Sequence, residues 1–237
     1  MTSRPPARIS PVMLAGLCLV LASGCASAPA TGKVFVPANH VGEAVMPATV
    51  RRVVLLPLAG GGVAPPASLA DLDPVVAAAL QQQNRFEVVA VSRETCRRLF
   101  GAEEFSSVGA LPPDFLAAVR REFGADAVLF VDVTVFRAYR PLAIGFRAKL
   151  ATLSDVRLVW TFDNLFSAAD PAVVNSARRH ALTGGTPEIP ADLSPAVMQS
   201  PSRFTAYAAE AMFATLPPVL APGTPVTGPE SDSAAAR

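Results

Sequence analysis

Apolar and polar positions alternate with readable periods only in the middle of the chain. Arg52-Val-Val-Leu-Leu-Pro-Leu58 is a short apolar run rich in β-branched residues, and Gly60-Gly61-Gly62 closes it, which predicts a buried strand entering a turn. Asp73-Pro74 has the form of an N-cap and first-turn pair, with Leu72, Val76, Ala79 and Leu80 at helical spacing as far as Gln83. Phe86 to Val91 predicts a second strand. Ser92 then caps a helix through Phe100, where Gly101 stops it. Pro112-Pro113-Asp114 opens another helix, whose Phe115, Leu116, Val119 and Phe123 share one face before Gly124.

Ala127 to Tyr139 is the longest strand candidate, and its first half is apolar on both sides, as expected of a central strand covered on two faces. Asp132 interrupts it. This residue is either a buried functional acid or the point where the strand meets solvent, with Thr134 next on that face; the second reading is preferred. Ile144, Phe146, Ala148 and Leu150 alternate with Gly145, Arg147 and Lys149. After Ser154-Asp155, Leu158, Trp160 and Phe162 alternate with Arg157, Val159, Thr161 and Asp163. Together they predict a hairpin with one apolar and one largely polar face. Asp170-Pro171 starts a helix ending near Arg178, Arg179 and His180, and a last helix after Ser200-Pro201 carries Phe204, Tyr207, Ala208, Ala211, Met212 and Leu216 as its stripe. This order predicts an α/β domain over residues 50–216, a single mixed β-sheet of about five strands packed by helices. Residues 25–49 read as a flexible tether and 217–237 as a disordered Pro/Ala-rich tail.

The first 24 residues have a different pattern. Arg4 and Arg8 precede an apolar run from Val12 to Ala22, too short for a bilayer core about 30 Å thick and shaped like a cleavable signal. Its end, Leu21-Ala22-Ser23-Gly24-Cys25, resembles the lipobox of bacterial lipoproteins. That resemblance implies cleavage before Cys25, acylation of its thiol and, with Ala26-Ser27 following, sorting to the outer membrane with the domain facing the periplasm. An ordinary signal with an incidental cysteine is the competing reading.

The domain itself resembles the periplasmic lipoproteins related to the curli secretion channel CsgG and the penicillin-binding-protein activator LpoB. The matching stretches are RVVLLPL, LQQQNRFEVVAVSRETCRRLF with its Ser92-Arg93, FLAAVRREFGADAVLFVDVTVF with Gly124-Ala125-Asp126-Ala127, and the hairpin carrying LVWTFDN. The resemblance implies a lipid-anchored, non-catalytic interaction or assembly factor of the cell envelope. Its partners would be outer-membrane lipid through Cys25 and an envelope protein or a second copy of the chain. An export-channel subunit is the alternative, and an envelope hydrolase the third reading. Channel members line their pore with long inserted hairpins, whereas the hairpin from Leu142 to Phe166 is needed for this domain's own sheet.

Charge and chemistry narrow the choice. Removing Arg4 and Arg8 from 20 basic residues leaves 18 against 19 acidic ones, a balance that gives no reason to expect nucleic acid. Of three cysteines, Cys18 leaves with the signal and Cys25 is the lipid site. Cys96 stands alone and reads as a buried structural thiol rather than a nucleophile activated by Arg97 and Arg98. Gly60-Gly61-Gly62 lacks the lysine of a phosphate loop and reads as a turn. His40, in the tether, and His180, solvated at a helix end, are too few and too far apart to imply a metal or a catalytic pair. No catalytic residue and no cofactor is expected. The best contact patch is the polar sheet surface of Arg137, Arg147, Lys149 and Asp163, for which a merely solvated face is the default.

Overall fold

A computed structural model describes residues 32–183 and 197–220. Cys25, the first residues of the expected tether as far as 31, and most of the tail lie outside the described residues. Among those described, six strands form one sheet: β1 (His40–Gly42), β2 (Arg52–Leu55), β3 (Glu87–Ala90), β4 (Ala127–Arg137), β5 (Ala143–Thr152) and β6 (Leu158–Ser167). The helices are α1 (Pro66–Gln81), α2 (Arg93–Phe100), α3 (Phe115–Phe123), α4 (Pro171–Thr183) and α5 (Pro201–Phe213). Spatial order is β1-β6-β5-β4-β2-β3, with β3, β2 and β4 parallel and β4, β5, β6 and β1 antiparallel. The sheet is mixed, as expected, but has one strand more than the five anticipated.

The extra strand comes from the supposed tether. β1 pairs with β6, His40 opposite Phe162 and Gly42 opposite Trp160. Before it, the Phe35 amide donates to Ser176 Oγ at 2.8 Å and its ring meets Phe166 edge-on. After it, Met46 and Val50 are buried, and the Met46 amide donates to the Pro218 carbonyl. Residues 33–49, expected as part of a leash, therefore pack on the domain because Phe35, Met46 and Val50 find apolar cover there. Pro217 and Pro218, expected in the tail, are held at the same place.

A second expectation fails at Asp73-Pro74. The helix starts about two turns earlier, after Pro65, and Pro74 lies inside it. Pro66 supplies the helical φ at the first position. Asp73, instead of capping, accepts the Leu58 amide at 2.9 Å and the Arg93 guanidinium at 2.7 Å. The other caps stand as read: Ser92 Oγ accepts from the Thr95 amide, Ser200 Oγ accepts from the Arg203 amide, and Gly101 and Gly124 end their helices left-handed.

Two apolar clusters cover the sheet. On one face α1, α4 and α5 pack over Val53, Leu55, Leu129, Val131, Phe146, Leu150, Trp160 and Phe162. On the other, Cys96 of α2, Phe115 and Val119 of α3 and Phe105 of their connection cover Val54, Leu56, Val128 and Phe130. The second cover extends past β4 only at Ala151, near the end of β5, and Leu153 after it. Elsewhere the same face of β5, β6 and β1 has no helix above it among the described residues.

Candidate functional site

That open half-face is where the expected patch falls. Cross-strand register puts Arg147 of β5 directly opposite Asp163 of β6, and their side chains pair, Nε to Oδ2, at 2.9 Å. Lys149 lies two residues further along β5, opposite Thr161, and so shares the face. Its ammonium donates to the Ser107 carbonyl at 2.8 Å. Three of the four expected residues thus gather around a depression of about 250 Å³, bordered by Asn39, His40 and Val41 of the packed N-terminal segment. Arg137 is not among them. It faces Ala143, four residues along β5 from Arg147, roughly 13 Å away at strand spacing.

The floor of the patch is not only charged. Val41 and Leu165, on the same side as Thr161 and Asp163, are 72% and 50% exposed. Gly145, opposite Leu165, has no room for a side chain, because its Cβ position is filled by Thr134 Oγ1 and the Val135 backbone. Thr134 sits in a β-bulge between Val133 and Val135 and, as the alternation suggested, stays on the face of Asp132 and Arg147, with which it lines one surface depression.

Asp132 itself corrects its preferred reading. It is 6% exposed, and its carboxylate accepts the Ser107 amide at 2.9 Å and the Ser107 hydroxyl at 2.6 Å. The connection between α2 and α3 is therefore pinned at Ser107 from two sides, by Asp132 and Lys149. The same connection is held upstream, where Glu104 accepts from Arg93 at 2.9 Å and from the Gly60 amide at 3.1 Å. The glycine turn, with Gly61 and Gly62 at positive φ, thus already gives an amide to a carboxylate of its own chain. Burial against Arg93 and Leu58 leaves the Asp73 carboxyl above its ordinary range, desolvation outweighing the hydrogen bonds from Leu58 and Arg93.

The remaining candidates separate. Cys96 is fully buried and desolvation pushes its thiol up to about 11. His40 lies in β1, while His180 of α4 contacts Glu210 of α5 through Nε2 at 2.6 Å and packs edge-on to Tyr207. That pairing replaces the solvated helix end expected for His180. A cavity of about 220 Å³ at the ends of β2 and β3 has Asp73 and Ser92 in its lining, both engaged within the chain. Among the described residues no group of three or more His, Cys, Asp or Glu side chains could hold a metal ion, and no helix is long and apolar enough to cross a membrane.

Sequence reasoning missed Ser107, Asn39 and Val41, the neighbours that turn a charged strip into a bounded surface. Three residues of β1 are too few to show a period, and nothing local marks Ser107 as the partner of a residue 25 positions away.

No protein-family model and no curated protein matches the chain. Among solved structures it is similar to the PelC dodecamer from Paraburkholderia phytofirmans, at 14% identity over 71% of this chain and 93% of that one, TM-score 0.39. It is also similar to lipoprotein GNA1162 from Neisseria meningitidis, at 16% identity over 56% and 96%, TM-score 0.41. A third likeness is to the LpoB C-terminal domain from Salmonella enterica, at 14% identity over 49% and 82%, TM-score 0.33. Likenesses this distant carry no argument about activity, and the α/β architecture stands on the chain's own strand order.

Proposed function

We propose that this chain is a bacterial lipoprotein of the CsgG/LpoB-like kind, acylated at Cys25, held at the outer membrane and facing the periplasm. There it acts as a non-catalytic interaction or assembly factor of the cell envelope. The observation that carries the reading is the open half-face: among the described residues, helices cover β2, β3 and β4 on both sides but leave β6, β1 and all of β5 except its Ala151 end uncovered on one. A surface that sets exposed Val41 and Leu165 on either side of the Arg147–Asp163 pair, with Lys149 beside it, mixes apolar and charged groups as contact regions do. The sequence motif around Cys25 supports the anchor, and the packed hairpin supports an adaptor over a channel subunit. Both hairpin strands place Phe146, Leu150, Trp160 and Phe162 in the domain core, where they are unavailable to lipid.

Radiolabelled palmitate supplied to cells making the full chain tests the anchor. Label in the wild type and none in Cys25→Ala is expected, and equal labelling would reject it. Crosslinking in the same cells tests the partner: a discrete hetero-adduct supports the adaptor, and self-crosslinked rings as the sole product would favour the channel.

A further inference from the structure

The proposed anchor limits how far the domain can stand from the bilayer. Ten residues lead from Cys25 to Phe35, which is docked on Phe166 and Ser176, so even a fully extended leash reaches at most about 36 Å. A domain of this length is about 40 Å across. The leash is thus no longer than the body is wide, and the end at Phe35 is the one kept nearest the lipid.

That end has a distinct surface. Phe166 lies opposite Ile144, and the next pair, Ser167 with Ala143, borders the β4–β5 turn. The turn presents Tyr139, 84% exposed, beside exposed Arg137 and Arg140. Arg140 shares a shallow cavity with Arg178 of α4, and one helical turn before Arg178 the Asn175 side chain donates to the Lys33 carbonyl. Lys33, Arg137, Arg140 and Arg178 are all exposed, and none has an ion-pair partner among the described residues. Asp170 adjoins them, its carboxylate accepting the Ala172 amide at the start of α4. The opposite end of the sheet, at the β5–β6 turn, differs: Arg157 there is paired with Glu43 and Asp155.

We propose that the end of the domain carrying Lys33, Arg137, Tyr139, Arg140 and Arg178 docks on the anionic phospholipid headgroups of the membrane that holds Cys25. This inference rests on the anchored reading. Cations near an anionic leaflet are attracted within a Debye length, and an exposed tyrosine suits the headgroup layer, where its ring and hydroxyl meet different surroundings. Docking would orient the domain, leaving the β5–β6 turn pointing into the periplasm.

The test uses the lipidated full chain with a photoreactive benzoylphenylalanine in place of Tyr139 or, as control, Val156, which is 61% exposed in the β5–β6 turn. Each protein is reconstituted in vesicles of phosphatidylethanolamine with phosphatidylglycerol, or of phosphatidylcholine alone. Crosslinking to lipid from position 139 but not 156 is expected, weaker by at least about fivefold in phosphatidylcholine and in the Arg140→Gln, Arg178→Gln double variant. Equal lipid crosslinking from both positions, or no dependence on phosphatidylglycerol, would overturn the proposal, as would crosslinking from position 139 in cells to a protein instead of lipid. Palmitate incorporation is measured on the same preparations. Labelled protein without crosslinks at position 139 defeats the docking surface alone, whereas unlabelled protein defeats the anchor and, with it, this inference.

Discussion

Arg93 shows how one side chain ties distant segments together. Its guanidinium donates to Asp73 of α1, to Glu104 in the connection after α2 and, at 2.8 Å, to the Leu58 carbonyl beyond β2. Replacing it in Arg93→Met leaves two carboxylates without their shared cation, and the expected loss is about 3 kcal/mol in urea unfolding. The loss depends on pH in a definite direction. Because the Asp73 carboxyl is raised by burial, the stability it contributes is present below the ordinary carboxylate range and fades as pH rises through the raised value. Without Arg93 the carboxyl rises further, so the variant is expected to lose more at about pH 8 than at about pH 5. Equal losses at both would show that Arg93 acts by packing alone. Cys96 gives a second check: with its thiol pushed up to about 11 and no solvent access, native protein should resist iodoacetamide at this residue while urea-unfolded protein reacts. The buried cysteine was legible because Cys96 and Phe100, one helical turn apart, share an apolar face, although Leu99 beside them stays exposed. The role of Asp73 was not, since an aspartate before a proline looks like a cap whether or not a distant arginine claims it.

The elements that were readable are those whose signals are local. Ser92, Ser200, Gly101 and Gly124 mark helix ends through their own backbone geometry, and the β5–β6 hairpin announces itself by two clean alternations. β1 has no such signal; its three residues are a strand because β6 offers an edge and Phe35 and Met46 secure either side. Asp132 and Thr134 share one face, as the alternation suggested, but a bulge lies between them, and the bulge depends on Gly145. A side chain there would strike Thr134 Oγ1, so Gly145→Val is expected to cost about 2 kcal/mol in chemical denaturation, against little change for Lys149→Gln. If the Gly145→Val variant were as stable as the wild type, the bulge would have to relax freely. The α2–α3 connection makes a separate prediction. Asp132→Ala removes both Ser107 hydrogen bonds, so amide exchange at Ser107 should quicken by an order of magnitude or more while β4 stays protected. Unchanged exchange at Ser107 would show that Lys149 and Glu104 suffice to hold the loop.

At the scale of the whole molecule, the domain has unequal surfaces. The N-terminal segment closes one edge of the sheet and brings the chain out near a basic, tyrosine-bearing end. The half-face of β5, β6 and β1, with the Arg147–Asp163 pair in its middle and Leu165 toward one end, has no helix over it among the described residues. The α/β class and the polar face of the hairpin follow from periodicity. The boundary of that face does not, because it depends on where helices α2 and α3 stop, a property of their packing on β2 and β4. The central claim is that this bare surface meets a protein partner. The most direct measurement places a photoreactive benzoylphenylalanine at Leu165 or, for comparison, at Val156 in the full chain and irradiates living cells. A discrete hetero-adduct from position 165 that is absent from 156 and is weakened by Arg147→Glu is the expected result. No adduct from position 165, or the same adducts from both positions, would contradict the claim.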